Sequence, residues 1–257
     1  MKATRARIFT DLIRWHEERE SGRFASGGIG FIPTMGALHE GHRSLLQRAR
    51  AENDRVVMSV FVNPTQFDNK DDLAAYPRTL ESDLEFAGDL VDAVVAPTAA
   101  ALYADEYRYR VIETDLSHVM EGKQRPGHFD GVLTVVMKLL NIVRPTRAYF
   151  GRKDWQQLQL VRGMVSAFFL PVEIVECETE REPDGLAMSS RNRRLSSAAR
   201  AGAAAFPRIL SDAGDAEEVR RALGAAGFSV DYVEERGGVR LGAVRLEGVR
   251  LIDNVRL

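Results

Sequence analysis

Two histidines spaced three residues apart, His39 and His42, are the first residues whose types and spacing suggest chemistry. They follow a short apolar strand and a turn at Gly36, at the point where a helix is predicted to begin. The first turn of a helix presents free N–H groups and partial positive charge, which attract phosphate. Histidines at i and i+3 share a helix face and add donors, and Gly41 leaves room for a close ligand. The segment predicts a phosphate site; the alternative is that the histidines only cap the helix.

Two better-known phosphate motifs do not match this segment. The spacing of Gly36 and Gly41 resembles the start of a P-loop, but His42 and Arg43 stand where that motif needs Lys and then Ser or Thr. No G-x-G-x-x-G run follows the first predicted strand, so a dinucleotide-binding loop has no support. A nucleotide bound here would rely on the helix start and on the histidines.

A second polar segment, with Asn63 and Gln66, comes directly after the second predicted strand. Ligands of doubly wound sheets bind outside the carboxyl ends of the strands. Two amides at that place could hydrogen-bond a small polar substrate. The alternative is an ordinary turn, which the pair Asn63-Pro64 readily starts.

A third segment, between a later strand and a later helix, contains Lys153 and Gln157. Lys153 is placed to reach phosphates, and Gln157 could face the same cleft. A capping box with Asp154 as N-cap and Gln157 at N3 would explain Gln157, although it gives Lys153 no role. Arg125 and His128, which precede a strongly amphipathic helix, either meet substrate or only lead into that helix.

A fourth segment, Met188–Asn192, offers two hydroxyls and a guanidinium, because Ser189, Ser190 and Arg191 are adjacent. A planar arginine fork with neighbouring hydroxyls can clamp a polyphosphate, although a polar loop is the common alternative. Four such segments at strand ends and at a hinge together favour a cleft for a nucleoside triphosphate.

The elements that must position these segments alternate between strand and helix. Strands are predicted at residues 30–33, 56–62, 92–96, 147–150 and 172–177, and helices at 80–88, 132–143 and 155–169. This alternation predicts an α/β fold, with a doubly wound domain over residues 1–184. Ala-rich helices at 197–226 and short strands at 230–233 and 251–253 predict a smaller α+β domain over residues 185–257.

The composition is that of an ordinary globular protein. Its 257 residues include 35 Lys and Arg against 37 Asp and Glu, a net charge of −2, with 45% apolar residues. This balance excludes a disordered chain and gives no basic footprint for nucleic acid. Cys177 is the only cysteine, which excludes an internal disulfide and a cysteine zinc cluster.

Membrane and export signals are also missing from the sequence. No apolar run reaches the roughly 18 residues that a membrane span needs. Residues 1–20 carry interspersed acidic side chains and predict an amphipathic surface helix, not a signal peptide. A cytoplasmic protein with neither nucleic-acid nor membrane partners is therefore expected.

In the segments described above, the sequence resembles the pantoate–β-alanine ligase family. The motifs PTMGALHEGH, FVNPTQF, YPRTL, RPGHFDGV, GRKDWQQL, DGLAMSSRN and the terminal RLIDN occur in the family's order. The resemblance implies a Rossmann-like nucleotidyltransferase domain, a smaller C-terminal lid domain and usually a homodimer. It further implies ATP as co-substrate, Mg²⁺ as cofactor, and pantoate and β-alanine as substrates, joined through a pantoyl adenylate with release of pyrophosphate and AMP.

The resemblance also implies roles for individual residues. Catalysis falls to His42 as a proton donor, with His39 and Lys153. ATP is expected to contact Met35, Gly36, Ala37, Leu38, His39, Glu40, Gly41, His42, Gly151, Arg152, Lys153, Asp154, Glu180, Met188, Ser189, Ser190 and Arg191. The small substrates are expected to contact Gln66, Gln157, Asn63 and Met35. Asp83, in the helix after YPRTL, is expected to hold the metal; the alternative is a solvated helix carboxylate.

Three positions depart from the residues that the family usually has. Arg152 replaces an acidic residue, Trp155 replaces a tyrosine, and Glu180 replaces a small apolar residue beside the nucleotide. A carboxylate near ATP would oppose binding unless it turned to solvent. Two other functions stand beside the ligase: an adenylate-forming enzyme for another carboxylate or amine, and a nucleotide-binding module without catalysis. The substrate-facing amides disfavour the first, and the intact histidines, lysine and clamp disfavour the second.

Overall fold

A computed structural model describes residues 6–257 of the chain. Its larger sheet has the strands β1 (Arg7–Phe9), β2 (Ile29–Thr34), β3 (Arg55–Val60), β4 (Ala93–Val95), β5 (Arg147–Gly151) and β6 (Glu173–Cys177). All six are parallel, in the order β1-β4-β3-β2-β5-β6. Val56, Val57 and Met58 of β3 are fully buried, so its apolar run forms a central strand covered on both faces, as the sequence predicts.

The strand order reverses beside β2, which positions the site. β3 pairs with one edge of β2 and β5 with the other. Thr34 is in register with Val60, and Phe31 with Ala148. The carboxyl ends of these three strands therefore open at one edge of the sheet. Because ligands of open parallel sheets bind at such a switch point, the polar segments that follow β2, β3 and β5 surround one crevice.

Helices cover both faces of this sheet. They are α1 (Leu12–Ser21), α2 (Glu40–Glu52), α3 (Lys70–Ala74), α4 (Leu80–Ala87), α5 (Ala99–Leu102), α6 (Met120–Gln124), α7 (His128–Val143) and α8 (Trp155–Ala167). Alternate strand residues enter different cores: Phe31 and Val57 pack with α7 and α8 on one face, and Ile32 and Met58 pack with α2 on the other. This two-sided burial confirms the doubly wound α/β prediction.

A smaller unit follows the sheet. It contains α9 (Ser197–Ala203), α10 (Ala205–Leu210), α11 (Ala216–Ala225), β7 (Ser229–Arg236), β8 (Val239–Leu246) and β9 (Val249–Arg256). The strands form an antiparallel sheet in the order β7-β8-β9, with a core of its own beneath the helices. The predicted α+β character is confirmed. The boundary between residues 184 and 185 stays a prediction, since the larger sheet ends at Cys177 and α9 begins at Ser197.

A buried polar network joins the smaller sheet to α6. The carboxylate of Glu121 accepts a hydrogen bond from Tyr232 Oη at 2.9 Å and forms an ion pair with Arg250. Arg250 Nε also bonds Asp231 at 2.6 Å. Burial and the adjacent Glu121 carboxylate raise the pKa of Tyr232. Removing one partner would leave a poorly solvated charge, so the network fixes how the two units meet.

The structure differs from the sequence prediction at two elements. The N-terminal segment is not one helix, because Arg7–Phe9 pairs with β4 as an edge strand before α1 begins; residues 1–5 of that prediction lie outside the described residues. The strand β8 was not predicted from the sequence. Its Arg240 is 4% exposed and donates to the carbonyls of Leu210 and Asp212, so a buried arginine hides the apolar pattern. None of the described helices is long and apolar enough to cross a membrane.

Candidate active site

The loop after β2 is shaped by the carboxylate of Asp83. Its Oδ2 accepts from the backbone N–H of Ala37 at 3.1 Å, and its Oδ1 accepts from Leu38 at 2.8 Å. Thr79 Oγ1 donates to Oδ2 at 3.0 Å. Gly36 adopts φ +80°, and a Cβ there would lie 2.8 Å from Asp83 Oδ2. Asp83 and Gly36 together turn the chain from β2 towards α2.

The prediction that Asp83 holds a metal does not fit this geometry. Asp83 is 3% exposed, and both of its oxygens already accept hydrogen bonds. It is not a solvated helix carboxylate either. Residues 6–257 contain no group of three or more His, Cys, Asp or Glu side chains that could hold a metal ion. Asp83 is therefore reassigned from metal ligand to support of the loop.

The two histidines cap α2 with their δ nitrogens. His39 Nδ1 accepts from the N–H of Gly41 at 3.2 Å, and His42 Nδ1 accepts from the N–H of His39 at 3.3 Å. Gly41 is required because a Cβ there would lie 2.9 Å from Cε1 of His39. Since each Nδ1 accepts, each neutral imidazole carries its proton on Nε2. The capping alternative is thus correct for the δ nitrogens, and it leaves the ε nitrogens for a ligand.

Both imidazoles are neutral at pH 7. Burial, with Lys153 and Arg193 nearby, lowers the pKa of His39 to about 4. Burial, with His39 and Lys153 nearby, lowers the pKa of His42 to about 3. Burial disfavours charge of either sign, so only the smaller contribution, from the nearby cation Lys153, also favours a negative ligand. Each ring therefore offers a hydrogen bond from Nε2–H and retains its proton.

This neutral state leads to a prediction for proton NMR. An unfolded histidine has a pKa near 6.5, whereas the Cε1–H signals of His39 and His42 are expected to show no titration step between about pH 5 and 8. The unfolded chain then binds more protons below about pH 6.5, so the free energy of unfolding should fall as the pH drops from there towards about 4. Spectra of His39→Gln and His42→Gln would assign the two signals. A step near pH 6.5 in either one would contradict the burial argument.

Asn63 positions Gln66 and has no hydrogen-bonding capacity left for substrate. Asn63 is 1% exposed, and its Oδ1 accepts from Tyr103 Oη at 2.7 Å and from Thr65 Oγ1 at 2.9 Å. Its Nδ2 donates to the carbonyl of Gly131 and to Gln66 Oε1, the latter at 2.9 Å. The predicted substrate contact of Asn63 is therefore replaced by a supporting role. Because Gln66 Oε1 accepts from Asn63, the Nε2 end of the Gln66 amide is the end available to a ligand.

Arg125 and His128 also support Gln66. His128 Nδ1 lies 2.8 Å from the carbonyl oxygen of Gln66, and Arg125 Nη1 lies 3.1 Å from His128 Nε2. Burial, followed by the nearby Arg125, lowers the pKa of His128 to about 4. A neutral His128 can donate from Nδ1 and accept at Nε2. The segment that the sequence left undecided thus fixes the backbone of a predicted substrate residue.

In the 3₁₀ turn Arg152–Asp154, the neighbouring cations Arg152 and Lys153 have different surroundings. Arg152 pairs with Glu178 at 2.6 Å, which removes its side chain from the predicted ATP contacts. The Lys153 side chain is 17% exposed, and its ion pair with Asp154 is long, at 3.9 Å. The charge of Lys153 is therefore available to a ligand, whereas the charge of Arg152 is already paired.

The capping box expected at the start of α8 is not formed. The Asp154 side chain makes no capping hydrogen bond, so Gln157 is not held in such a box and borders the cavity instead. Its neighbour Gln156, which the sequence analysis did not single out, is 3% exposed. Gln156 Oε1 accepts from the N–H of Glu121 at 3.0 Å and thereby supports α6. The helical spacing of Gln156 to the buried Leu160 is the signal that could have revealed this.

The predicted clamp is a short turn anchored at both ends. Ser189 Oγ accepts from the N–H of Arg191 at 3.2 Å, which starts the 3₁₀ turn Ser190–Arg194. Asn192 is 7% exposed and donates from Nδ2 to the carbonyl of Ala187 at 3.1 Å. These bonds leave the hydroxyl of Ser190 and the guanidinium of Arg191 at the cavity wall.

Glu180 stands beside the start of α2, on the exposed side of the site. Its Cβ lies 3.8 Å from the point that a Cβ of Gly41 would occupy. The side chain is exposed, so water screens the carboxylate. The backbone carbonyl of Glu180 accepts from the N–H of Met188 at 2.9 Å, which links this position to the clamp.

One cavity of about 270 Å³ brings the four segments together. The predicted site residues that line it are Met35, His39, Gly41, His42, Asn63, Gln66, Gly151, Lys153, Asp154, Gln157, Glu180, Met188, Ser189, Ser190 and Arg191. The predicted residues that do not line it are Gly36, Ala37, Leu38, Glu40, Asp83 and Arg152. An adjoining cleft of about 460 Å³, shared at Lys153 and Arg191, extends towards β9. The combined space suits a nucleotide together with small polar substrates.

Comparisons with known proteins agree over nearly the whole chain. The sequence profile described as "Pantoate-beta-alanine ligase" matches residues 7–256. A pantothenate synthetase from Bdellovibrio bacteriovorus is 52% identical over 250 residues, which cover 96% of this chain and 100% of that protein. A pantothenate synthetase from Legionella pneumophila is 49% identical over 97% of this chain and 99% of its own length.

Solved structures show the same similarity. The pantoate–β-alanine ligase of Francisella tularensis, described as complexed with β,γ-ATP and β-alanine, superposes with a TM-score of 0.91 at 39% identity, covering 98% of this chain and 97% of that one. The pantothenate synthetase of Thermus thermophilus gives a TM-score of 0.85 at 41% identity, over 97% of this chain and 99% of that one. Family profile, relatives and fold therefore agree, and the chain belongs to the pantoate–β-alanine ligase family of enzymes.

Proposed function

We propose that this chain condenses pantoate with β-alanine to pantothenate, using ATP, through a pantoyl adenylate and with release of pyrophosphate and AMP. The observation that carries the proposal is the shared cavity in which the donors His39, His42 and Lys153 meet the amides of Gln66 and Gln157. The ligands described for the Francisella ligase, a form of ATP and β-alanine, support the same pair of ligands here.

The first half-reaction joins pantoate to the nucleotide. A pantoate carboxylate oxygen attacks the α-phosphorus, and the bond from that phosphorus to the bridging oxygen breaks, so that pyrophosphate leaves with the electron pair. Negative charge grows on the phosphate oxygens, so donors fixed in advance lower the barrier. Lys153 and Arg191 supply positive charge, and His39 and His42 donate from Nε2. His42 acts as a hydrogen-bond donor in place of the implied proton donor, because its pKa is about 3.

The second half-reaction releases AMP. The uncharged amine of β-alanine attacks the acyl carbon of the adenylate, the bond from that carbon to the phosphate oxygen breaks, and the nitrogen loses a proton to solvent. Gln66 Nε2 and Gln157 orient the acyl group, since orientation of reacting atoms lowers the barrier. The clamp at Met188–Arg191 and the smaller unit, acting as a lid, keep water from the reactive anhydride.

We propose that Mg²⁺ enters with the triphosphate and not on a protein site of its own. The Asp83 carboxylate does not fit a metal role, because loop hydrogen bonds occupy both of its oxygens. Phosphate oxygens and water are ligands that Mg²⁺ prefers, and the ion would offset phosphate charge.

Exchange of labelled pyrophosphate into ATP, measured with pantoate and Mg²⁺, tests the first half-reaction. AMP release on addition of β-alanine tests the second. Exchange followed by AMP release would support the full proposal. Exchange without AMP release would indicate another amine substrate, and the absence of exchange from folded protein that still binds ATP would favour a binding module.

Removing the charge of Glu180 is expected to strengthen ATP binding. An exposed carboxylate beside the first turn of α2 repels a triphosphate, and exposed charge pairs contribute up to about 1 kcal/mol. Glu180→Gln and Glu180→Val should therefore lower the Kd of ATP about two- to fivefold at low salt, with a smaller difference at high salt. Isothermal titration calorimetry measures both effects.

Glu173→Gln is the matched control for charge. Glu173 lies at the opposite end of β6 and bonds Arg147 at 2.9 Å, far from the carboxyl ends of the strands. Its replacement should leave the Kd of ATP unchanged. A clear loss of ATP affinity in Glu180→Gln would show that the glutamate contacts the nucleotide favourably.

A further inference from the structure

Two residues of the last strand, Asp253 and Asn254, reach both segments that the proposed function assigns to the triphosphate. Asn254 is 2% exposed, and its Nδ2 donates to the backbone carbonyls of Arg152 and Lys153, each at 2.9 Å. Asp253 is 3% exposed and accepts from Nη1 and Nη2 of Arg181 at 2.7 and 2.9 Å. One dipeptide of β9 thus bonds the turn that carries Lys153 and the chain that leads into the clamp.

The turn that carries Lys153 has no side-chain cap of its own. Neither Gly151 before the 3₁₀ turn nor Asp154 before α8 supplies a capping hydrogen bond. The amide of Asn254 bonds two consecutive carbonyls of this turn, which fixes both the position and the orientation of that backbone. Buried hydrogen bonds of this kind are costly to lose, because the carbonyls would remain unpaired.

Arg181 holds the chain just before the Met188–Arg191 clamp in a similar way. Besides its two bonds to Asp253, it donates to the carbonyl of Gly185 at 3.0 Å, and its backbone forms an isolated antiparallel bridge with Ala187. Asp253 itself accepts from the N–H of Asn254 at 2.8 Å. The bonds of Asn254 to the turn that carries Lys153 and the bonds of Asp253 to Arg181 are therefore made by adjacent residues of β9.

We propose that Asn254 is a positioning residue for Lys153, so that the smaller sheet acts on phosphoryl chemistry through this lysine. The inference rests on the proposed function, which gives Lys153 its role at the triphosphate. Asn254 does not touch substrate. It holds the backbone from which the lysine side chain extends, and a shift of about 1 Å in such a group can cost about 10²-fold in rate.

A double-mutant cycle separates positioning from general stability. In the protein that retains Lys153, Asn254→Ala is expected to lower kcat for pyrophosphate exchange about 10- to 100-fold. In a Lys153→Met background, the same replacement should change kcat less than about twofold, because no ammonium remains to be misplaced. Melting temperatures of all four proteins show whether each one is folded at the assay temperature.

Val244→Ala is the matched control. Val244 is fully buried in the core of the smaller sheet, a cluster that contains no residue of the Arg152–Asp154 turn. It should lower the melting temperature and have the same small effect on kcat with and without Lys153. If Asn254→Ala fails to fold, Asn254→Ser keeps one donor, and an intermediate loss that disappears with Lys153→Met is expected.

Three outcomes would overturn the inference. One is an equal fold-change from Asn254→Ala in both backgrounds, which indicates a structural role alone. Another is full activity of folded Asn254→Ala. The third is failure of both Asn254 variants to fold where Val244→Ala folds. An unaltered protein without any pyrophosphate exchange is a different result, because it refutes the proposed function before the cycle begins.

Discussion

Replacement of His42 by alanine is expected to lower kcat for pyrophosphate exchange about 10²- to 10³-fold while the protein stays folded. The imidazole is fixed by its Nδ1 bond to the N–H of His39, so its Nε2–H is aimed before substrate arrives. Loss of one such fixed donor to a developing negative charge has an effect of this size. Loss of the helix cap should destabilise the fold by only about 1 kcal/mol.

His42→Gln separates the cap from the chemistry. Glutamine at the third helical position can accept from the N-cap N–H in an ordinary capping box, so this variant should regain the melting temperature lost in His42→Ala. A low kcat that persists in His42→Gln would then be due to the missing imidazole. Near-normal turnover of His42→Ala would remove His42 from the catalytic group.

A loss of about 10³-fold in kcat/KM for ATP is expected from Lys153→Met, which keeps the length of the side chain and removes its charge. The Lys153 side chain is mostly buried, and its only ion pair among the described residues is 3.9 Å long. A cation so weakly paired in a cleft interacts strongly with phosphate, because little water screens it. Lys153→Arg should restore only part of the rate, since a planar guanidinium places its charge differently.

Arg152→Met is the neighbouring control for this experiment. Arg152 lies in the same turn, but its guanidinium is paired with Glu178 at 2.6 Å. Removing it should change kcat/KM for ATP by less than about threefold, because its charge is already paired and the Glu178 carboxylate, which is 67% exposed, stays solvated without it. Comparable losses in Arg152→Met and Lys153→Met would mean that the turn itself was disturbed, and that the lysine charge has no special role.

The sequence alone determined the order of the helices and strands, and it placed polar residues after the carboxyl ends of several strands. The run Val56–Val62 predicted a central strand, because such β-branched runs are typical of strands covered on both faces, and β3 (Arg55–Val60) confirms it. His39, Gln66 and Lys153 each follow a strand within a few residues, and parallel strands present their carboxyl ends at one edge. Local periodicity therefore sufficed to predict one crevice with phosphate-binding donors. The family motifs agreed with it.

Only the tertiary structure decided what each polar side chain does there. Asp83 meets Ala37 across 46 residues, and Asn254 meets Arg152 across 102 residues, distances over which no local pattern specifies a partner. The family resemblance implied a metal for Asp83 and ATP for Arg152, and the position of Asn63 after a strand suggested substrate. The fold instead gives Asp83 and Asn63 hydrogen-bond partners within the protein and pairs the Arg152 guanidinium with Glu178. The neutral state of the histidines has the same origin, because the loss of water that lowers their pKa exists only after the chain has packed around them.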